Sequence, residues 1–243
     1  MAELSAKELA RIRRSRRSPR ITQFDYLHVR RLVADLAVAL STVSGPGDRV
    51  LDVWSGSRPY DDLLPDAAEV VSLDVEGNPY GVADVVSNEL LPFPDESFDV
   101  VMCIQAFDFV PDPAAAVREF KRVLRARGRV LVSVPFVWEY DRTGCERRYT
   151  GPQLAELFSD WSDVTVVESG GRAVAWATLG GSLAASAERR LRGFGSVVAR
   201  PLFAAVYAGI NGLGHVLDAA EQRFGGTSHT LPMNLLLTAR RDA

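Results

Sequence analysis

One short stretch and one carboxylate downstream of it carry the first chemical signal. In VLDVWSGSRPY, Val50 to Tyr60, an apolar run ends at Asp52 and passes into a turn containing Gly56. After a strand, such a turn points backbone N–H groups at a ligand, and a small residue lets the ligand come close to the main chain. A second apolar run, EVVSLD, ends at Asp74. About 20 residues beyond a turn of this kind, an acidic side chain can accept hydrogen bonds from both hydroxyls of a ribose. The pair points to a nucleoside-containing ligand more strongly than a lone glycine would.

These residues need a scaffold that brings strand ends together. The runs RVLDV, EVVSLD, FDVVMCI and GRVLVSVPF are rich in branched residues and lack polar alternation, as strands buried on both faces do. They alternate with helical segments, an order that predicts a parallel α/β sheet. The leading helix places Leu27, Leu32, Leu36, Val38 and Leu40 at helical intervals before SGPGD breaks the pattern. In PDPAAAVREFKRVLRARG, Asp112 reads as the N-cap, Pro113 as the first helical residue and Gly128 as the residue just past the end. Val117, Phe120, Val123 and Leu124 form its predicted buried face, with Arg118, Lys121 and Arg122 in solvent. Beyond Pro135 a polar stretch leads to a short helix, GPQLAELFSDW, a strand VTVVES and a closing strand MNLLLTAR. Between the last two strands lies a mainly helical insert, about 170–226, far longer than a hairpin requires. Residues 21–243 therefore read as one domain with an insert, and 1–20, with RIRRSRRSPR, as a basic and mobile arm.

The successive stretches VLDVWSGSRPY, VVSLDVEG, LLPFPDESFDVVMC and FVPDPAAAVREFKRVLRARGRVLVSVP resemble the motifs of class I S-adenosylmethionine-dependent methyltransferases of the methyltransferase type 11 kind. TQFDYLHVRRL, SRPY and RRYT further resemble a bacterial branch associated with glycan and cell-envelope pathways. The resemblance implies a Rossmann-like seven-stranded sheet with flanking helices, an antiparallel last strand, and S-adenosylmethionine as cofactor. It places Asp52 at the methionine end, Gly56 and Trp54 in the cofactor turn, Asp74 on the ribose with Val75 beside it, Asp84, Ser87 and Asn88 near adenine, and Gln105 at the pocket border.

Three stretches depart from that pattern. DxGxG becomes DVWSG; in the left-handed region Trp54 would cost about 1–2 kcal/mol relative to glycine. Its indole has two directions open to it: inward, into the ribose or methionine volume, or outward against the leading helix. QAFDFV has Phe109 after Asp108 where relatives carry histidine, and FVWEYDRTGCERRYT offers Tyr140, Gly144 and Cys145 where the branch carries histidines and an aspartate. The groups lost are those that move protons near neutral pH. Asp108 and Tyr140 remain as candidates for a base, with Glu139, Asp141 and Arg148 on the acceptor side; His28, His215 and His229 are isolated. The expected reaction is methyl transfer to a small-molecule, envelope-glycan or lipid-linked acceptor, and the alternative is a scaffold or regulatory subunit whose Trp54 fills a vacated pocket.

Composition bounds the remaining classes. With 47% hydrophobic and 24% charged residues and a net charge of -3, the chain belongs with ordinary globular proteins. Cys103 and Cys145 have neither metal-site nor redox-pair spacing, so no metal and a reducing, cytoplasmic setting are expected. A charged opening without an apolar run argues against a secretory leader. The incomplete glycine pattern disfavours nicotinamide-dependent hydride transfer, and the basic arm lacks the aromatic strip of a nucleic-acid binder. PLFAAVYAGINGLGHVL, interrupted by Asn211 and His215, is marginal for a membrane span; it reads as a cap over the acceptor pocket or as an amphipathic surface meeting lipid.

Overall fold

The computed structural model describes residues 4–65, 69–88, 91–139, 146–191, 194–224 and 231–243. Helices α1 (Ala6–Arg17) and α2 (Tyr26–Val43) lead into β1 (Arg49–Val53), β2 (Glu69–Asp74), β3 (Val85–Val86) and β4 (Phe98–Ile104). Then follow α3 (Pro113–Val123), β5 (Leu124–Pro135), α4 (Gly151–Glu156) and β6 (Ser162–Ser169). Helices α5 (Arg172–Arg190) and α6 (Phe194–Phe224) precede β7 (Asn234–Arg240). The seven strands form one sheet in the order β3-β2-β1-β4-β5-β7-β6. β1 pairs in parallel with β2 and β4, and β7 runs antiparallel between β5 and β6. The C-terminal ends of β1, β2 and β4 thus share one edge, beside the point where the strand order reverses; ligands of open α/β sheets bind there.

Both faces of the sheet are covered, which is why its central strands read as uninterrupted apolar runs. Leu51, Val53, Val101 and Cys103 join one core with Phe107 and Phe120, on the α3 side. Val50, Val100 and Met102 join another with Leu32, Leu36 and Leu40 of α2. Val38 departs from the predicted stripe and is 67% exposed, because it lies about 200° round the helix from Leu36.

Helix α3 begins as read, Asp112 accepting from Ala115 N at 3.0 Å with Pro113 in the first turn. Its end differs: Leu124 is already strand, paired with Phe98, and Gly128 lies inside β5. A Cβ on Gly128 would stand 2.9 Å from Arg125 O and 3.1 Å from Asp99 O, so the glycine answers a close backbone approach rather than a helix end. Arg122 is also more than a solvated charge. It donates to Leu91 O and Phe93 O and pairs with Asp95 and Glu119, stapling the loop before β4 to α3.

The basic segment expected to be a mobile arm is helix α1, opened by a Ser5–Glu8 capping box. It buries no residue of its own and rests on arginines: Arg13 Nε donates to Ser57 O at 2.6 Å, Arg16 reaches the Tyr80 hydroxyl at 3.0 Å, and Arg17 pairs with Asp62. The insert is the pair α5 and α6, packed on one another and on α2. Asn211, 1% exposed, donates to Ile21 O and Gln23 O at 2.8 Å each, and so ties α6 to the segment ahead of α2.

Candidate active site

A cleft of about 1110 Å³ opens at the shared strand edge, between the ends of β2 and β4, the loop around Leu91 and the start of α3. Trp54, Asp74, Val75, Ser87, Asn88 and Gln105 line it, six of the nine residues expected around a cofactor. Asp52, Gly56 and Asp84 do not.

Asp74, 4% exposed, is the best-held carboxylate of the cleft. Its Oδ2 accepts from Gly56 N at 2.7 Å and Asn78 Nδ2 at 2.6 Å, and its Oδ1 from Val75 N at 2.8 Å. One side chain therefore fixes the turn after β1 to the end of β2 while facing the cleft. Gly56 has φ 58°, the left-handed region that glycine adopts without steric cost. Ser87 N donates to Asp74 O, and Asn88 is held through Glu76 N at 2.9 Å, so the far wall hangs on the same strand end. Gln105, at φ 55°, is clamped to β5 by its backbone N–H and by Nε2 on Ser133 Oγ at 2.7 Å.

Trp54 takes φ 56° and turns to the cleft side rather than outward against the leading helix. Its ring packs against Phe120 of α3 with centroids 6.0 Å apart, forming part of the cleft wall. The cleft exists with the indole in place.

Three of the candidate carboxylates do not line the cleft. Asp84 belongs to the scaffold: Oδ2 accepts from Ser72 N at 2.9 Å, Ser72 Oγ at 2.8 Å and Arg58 Nη1 at 2.8 Å. Those bonds hold its carboxyl below the usual range, although partial burial opposes them. Asp52 is buried under the turn; burial, and then the Asp61 carboxylate, push its pKa well above the usual value. Asp108, 1% exposed, points to Arg148 at 3.3 Å and its carbonyl accepts from Arg147 N, so it does not face the cleft. Tyr140, Asp141, Gly144, Cys145 and His229 lie outside the described residues. Glu139 accepts from Ser182 of α5, and its carbonyl accepts from Arg148.

Sequence reasoning missed the groups that seal the turn. Arg58, at φ 53°, bridges Asp61 and Asp84, and Arg13 and Arg16 arrive from α1. The hydroxyls of Ser55 and Ser57 are buried without a hydrogen-bond partner, although the fold normally satisfies such groups. Only the small polar run SGS hinted at them. Of the histidines, His28 is buried against Trp138 and bonded to Asn234 at 3.0 Å, and His215 sits with Tyr26 and Arg30; neither lines the cleft.

The overall architecture has solved counterparts. The structure of the [4+2]-cyclase SpnF superposes with a TM-score of 0.56 at 19% identity, covering 87% of this chain and 81% of that one. Phosphoethanolamine N-methyltransferase 2 of Haemonchus contortus, solved in complex with S-adenosyl-L-methionine, gives 0.52 at 16% identity over 96% of this chain and 60% of that one. Together with the strand order, they decide the architecture. The fold is that of a class I methyltransferase. Residues 61–132 match the family model described as a methyltransferase domain, a span that includes Asp74, Ser87, Asn88 and Gln105 and begins after the Trp54 turn. Within this methyltransferase fold, a curated relative is the ubiquinone/menaquinone biosynthesis C-methyltransferase UbiE of Shewanella oneidensis, 34% identical over 111 residues and 37% of this chain. The chain spans 44% of that relative's length. Quinone biosynthesis, rather than the glycan pathways expected from the sequence, is what this relative's name carries.

Proposed function

We propose that this chain is an S-adenosylmethionine-dependent methyltransferase acting on a small-molecule acceptor. The observation that carries the reading is the cleft itself: it lies at the strand ends, is built around a buried carboxylate, and is lined by six residues of the cofactor motifs. Its volume of about 1110 Å³ lies slightly above the ~300–1,000 Å³ typical of small-molecule sites. Two further features bear on the cofactor. Asp74 accepts three bonds, two on Oδ2 and one on Oδ1, and so keeps about one acceptor site, on Oδ1, for a ribose hydroxyl. The unpartnered hydroxyls of Ser55 and Ser57 are buried within the turn after β1 and do not line the cleft, so they would meet an amino-acid group only if the turn shifts.

In this reading Asp74 holds the ribose, Ser87 and Asn88 border the adenine, Val75 and Leu91 supply apolar walls, and Gln105 closes the side toward the acceptor. When bound, S-adenosylmethionine supplies an electrophilic methyl group on a sulfonium. The chain contributes alignment and exclusion of water, both of which act through proximity. Among the described residues no histidine lines the cleft, Asp108 is engaged by Arg148, and of the lining carboxylates Asp112 accepts from Ala115 N and Glu119 pairs with Arg122. The acceptor proposed is therefore one whose reacting atom is already nucleophilic, such as an electron-rich ring carbon or an amine. The C-methyltransferase and quinone-pathway name of the relative supports the ring-carbon member of that class. The cyclase named above shares the fold, so architecture alone does not decide methyl transfer. The deciding experiment is transfer of label from methyl-labelled S-adenosylmethionine into an acceptor extract: label in product supports the reading, and none with a cofactor-bound chain refutes it.

A further inference from the structure

The outer face of the α5–α6 pair takes no part in the cleft. From Pro201 to Leu217 the chain carries no Asp, Glu, Lys or Arg. Yet Leu202 is 65% exposed, Leu213 50% and Val216 66%, and on α5 Trp176 is 46%, Leu179 49% and Leu183 76% exposed. Leu202, Val206, Gly209, Leu213 and Val216 recur every three or four residues, along one side of α6. On α5 the exposed Trp176 and Leu179 stand next to Ala177 and Gly180, which meet α6 at Gly214 and Ile210. The two stripes therefore flank one seam. A surface helix ordinarily carries charge on its outer side, and a continuous apolar face of this kind marks an interaction site.

Composition and charge select the occupant. Val198–Phe224 is long and apolar enough to cross a membrane, but its inner side is committed to the protein. Tyr207, Asn211 and Gly214 are buried, and Asn211 holds Ile21 O and Gln23 O. The helix is thus fixed along the protein surface, the attitude of an interfacial rather than a spanning helix. Exposed Arg189, Arg190 and Arg200 stand at one end of the face and Arg223 at the other. Of the nearby acids, Glu188 accepts from Tyr207, Glu221 pairs with Arg172, and Asp218 accepts from the neutral amide of Gln222, so the positive charge is concentrated at the Arg189–Arg200 end. An uncharged apolar centre with a cluster of arginines at one end complements anionic headgroups over acyl chains.

We infer that the α5–α6 face docks in the plane of an anionic lipid bilayer. This docking uses no residue of the cleft and holds whether or not the chain transfers methyl groups. The test is co-sedimentation of the full chain with vesicles of phosphatidylglycerol and phosphatidylcholine in equal parts, without cofactor. Binding is expected, with Leu183→Glu and Leu213→Glu each lowering partition about tenfold or more. An Arg189→Gln, Arg190→Gln double variant should lose roughly fivefold per charge on these vesicles and nothing on pure phosphatidylcholine. Brominated lipid should quench the natural chain's fluorescence less once Trp176→Phe is introduced, a readout needing no charge in the apolar face. Absence of sedimentation, or sedimentation indifferent to the two glutamates, overturns the inference. So does a lipid-free dimer that those glutamates dissociate, which would assign the face to a second copy. Cofactor titration of the same samples separates failure here from failure of the methyltransferase reading.

Discussion

Replacing Trp54 with glycine tests whether the indole is a wall or a plug. Three effects set the stability change. Relief of the left-handed φ of 56° favours the variant by about 1–2 kcal/mol. Greater freedom of the unfolded chain opposes it by about 0.4–1 kcal/mol. Loss of the partly buried indole and its contact with Phe120 costs more, about 2–3 kcal/mol, below the ~3–5 kcal/mol of a fully buried aromatic. The variant should therefore be less stable by about 1–2 kcal/mol, a fall in Tm of roughly 2–8 °C for a chain of this size. Cofactor affinity should stay the same or weaken, because the cleft is open beside the indole and loses wall area without it. Thermal unfolding and calorimetric titration read both quantities on one sample. A more stable Trp54→Gly chain, or binding of S-adenosylmethionine by the variant alone, would refute the reasoning and restore the picture of a plugged pocket.

Other perturbations give separable outcomes. Asp74→Ala should weaken S-adenosylhomocysteine binding about 10–100-fold, the worth of one charge-assisted hydrogen bond, and should destabilise the turn by unpairing Gly56 N; unchanged affinity in titration would remove Asp74 from the site. A chain lacking residues 1–17 should lose less than about 2 kcal/mol in urea unfolding, since α1 buries nothing and rests on exposed or partly exposed polar contacts; a loss of several times that would make α1 part of the core. His28 has its pKa lowered to about 4 by burial, against 6.5 for the free side chain, so the unfolded chain takes up the proton first as pH falls. Its contribution is complete above about pH 6.5 and disappears toward pH 4, up to roughly 3 kcal/mol in all. Subtracting the pH profile of His28→Gln from that of the natural chain isolates it, and identical slopes would contradict the burial argument.

Much of the scaffold was legible because its physics is local and repeated. Strands covered on both faces, such as FDVVMCI, must be apolar throughout, and the Asp112–Pro113 start of α3 is written in two adjacent residues. The end of α3 was not, since Leu124 becomes strand by pairing with Phe98, a partner 26 positions earlier. At the site, Asp74 announced itself by closing a strand, whereas Asp84 and Asp108 looked equally available until Ser72, Arg58 and Arg148 proved to occupy them. The docking of α1 was hidden for a similar reason. Arginines in a polar run look solvated unless the carbonyl of Ser57 and the ring of Tyr80 are known to lie opposite.

The central claim, that the cleft around Asp74 receives S-adenosylmethionine, is most directly met by calorimetric titration of the natural chain with S-adenosylmethionine and S-adenosylhomocysteine. Saturable one-site binding in the micromolar range, much weakened by Asp74→Ala, is the predicted result. A folded chain that takes up neither compound at millimolar concentration would contradict it.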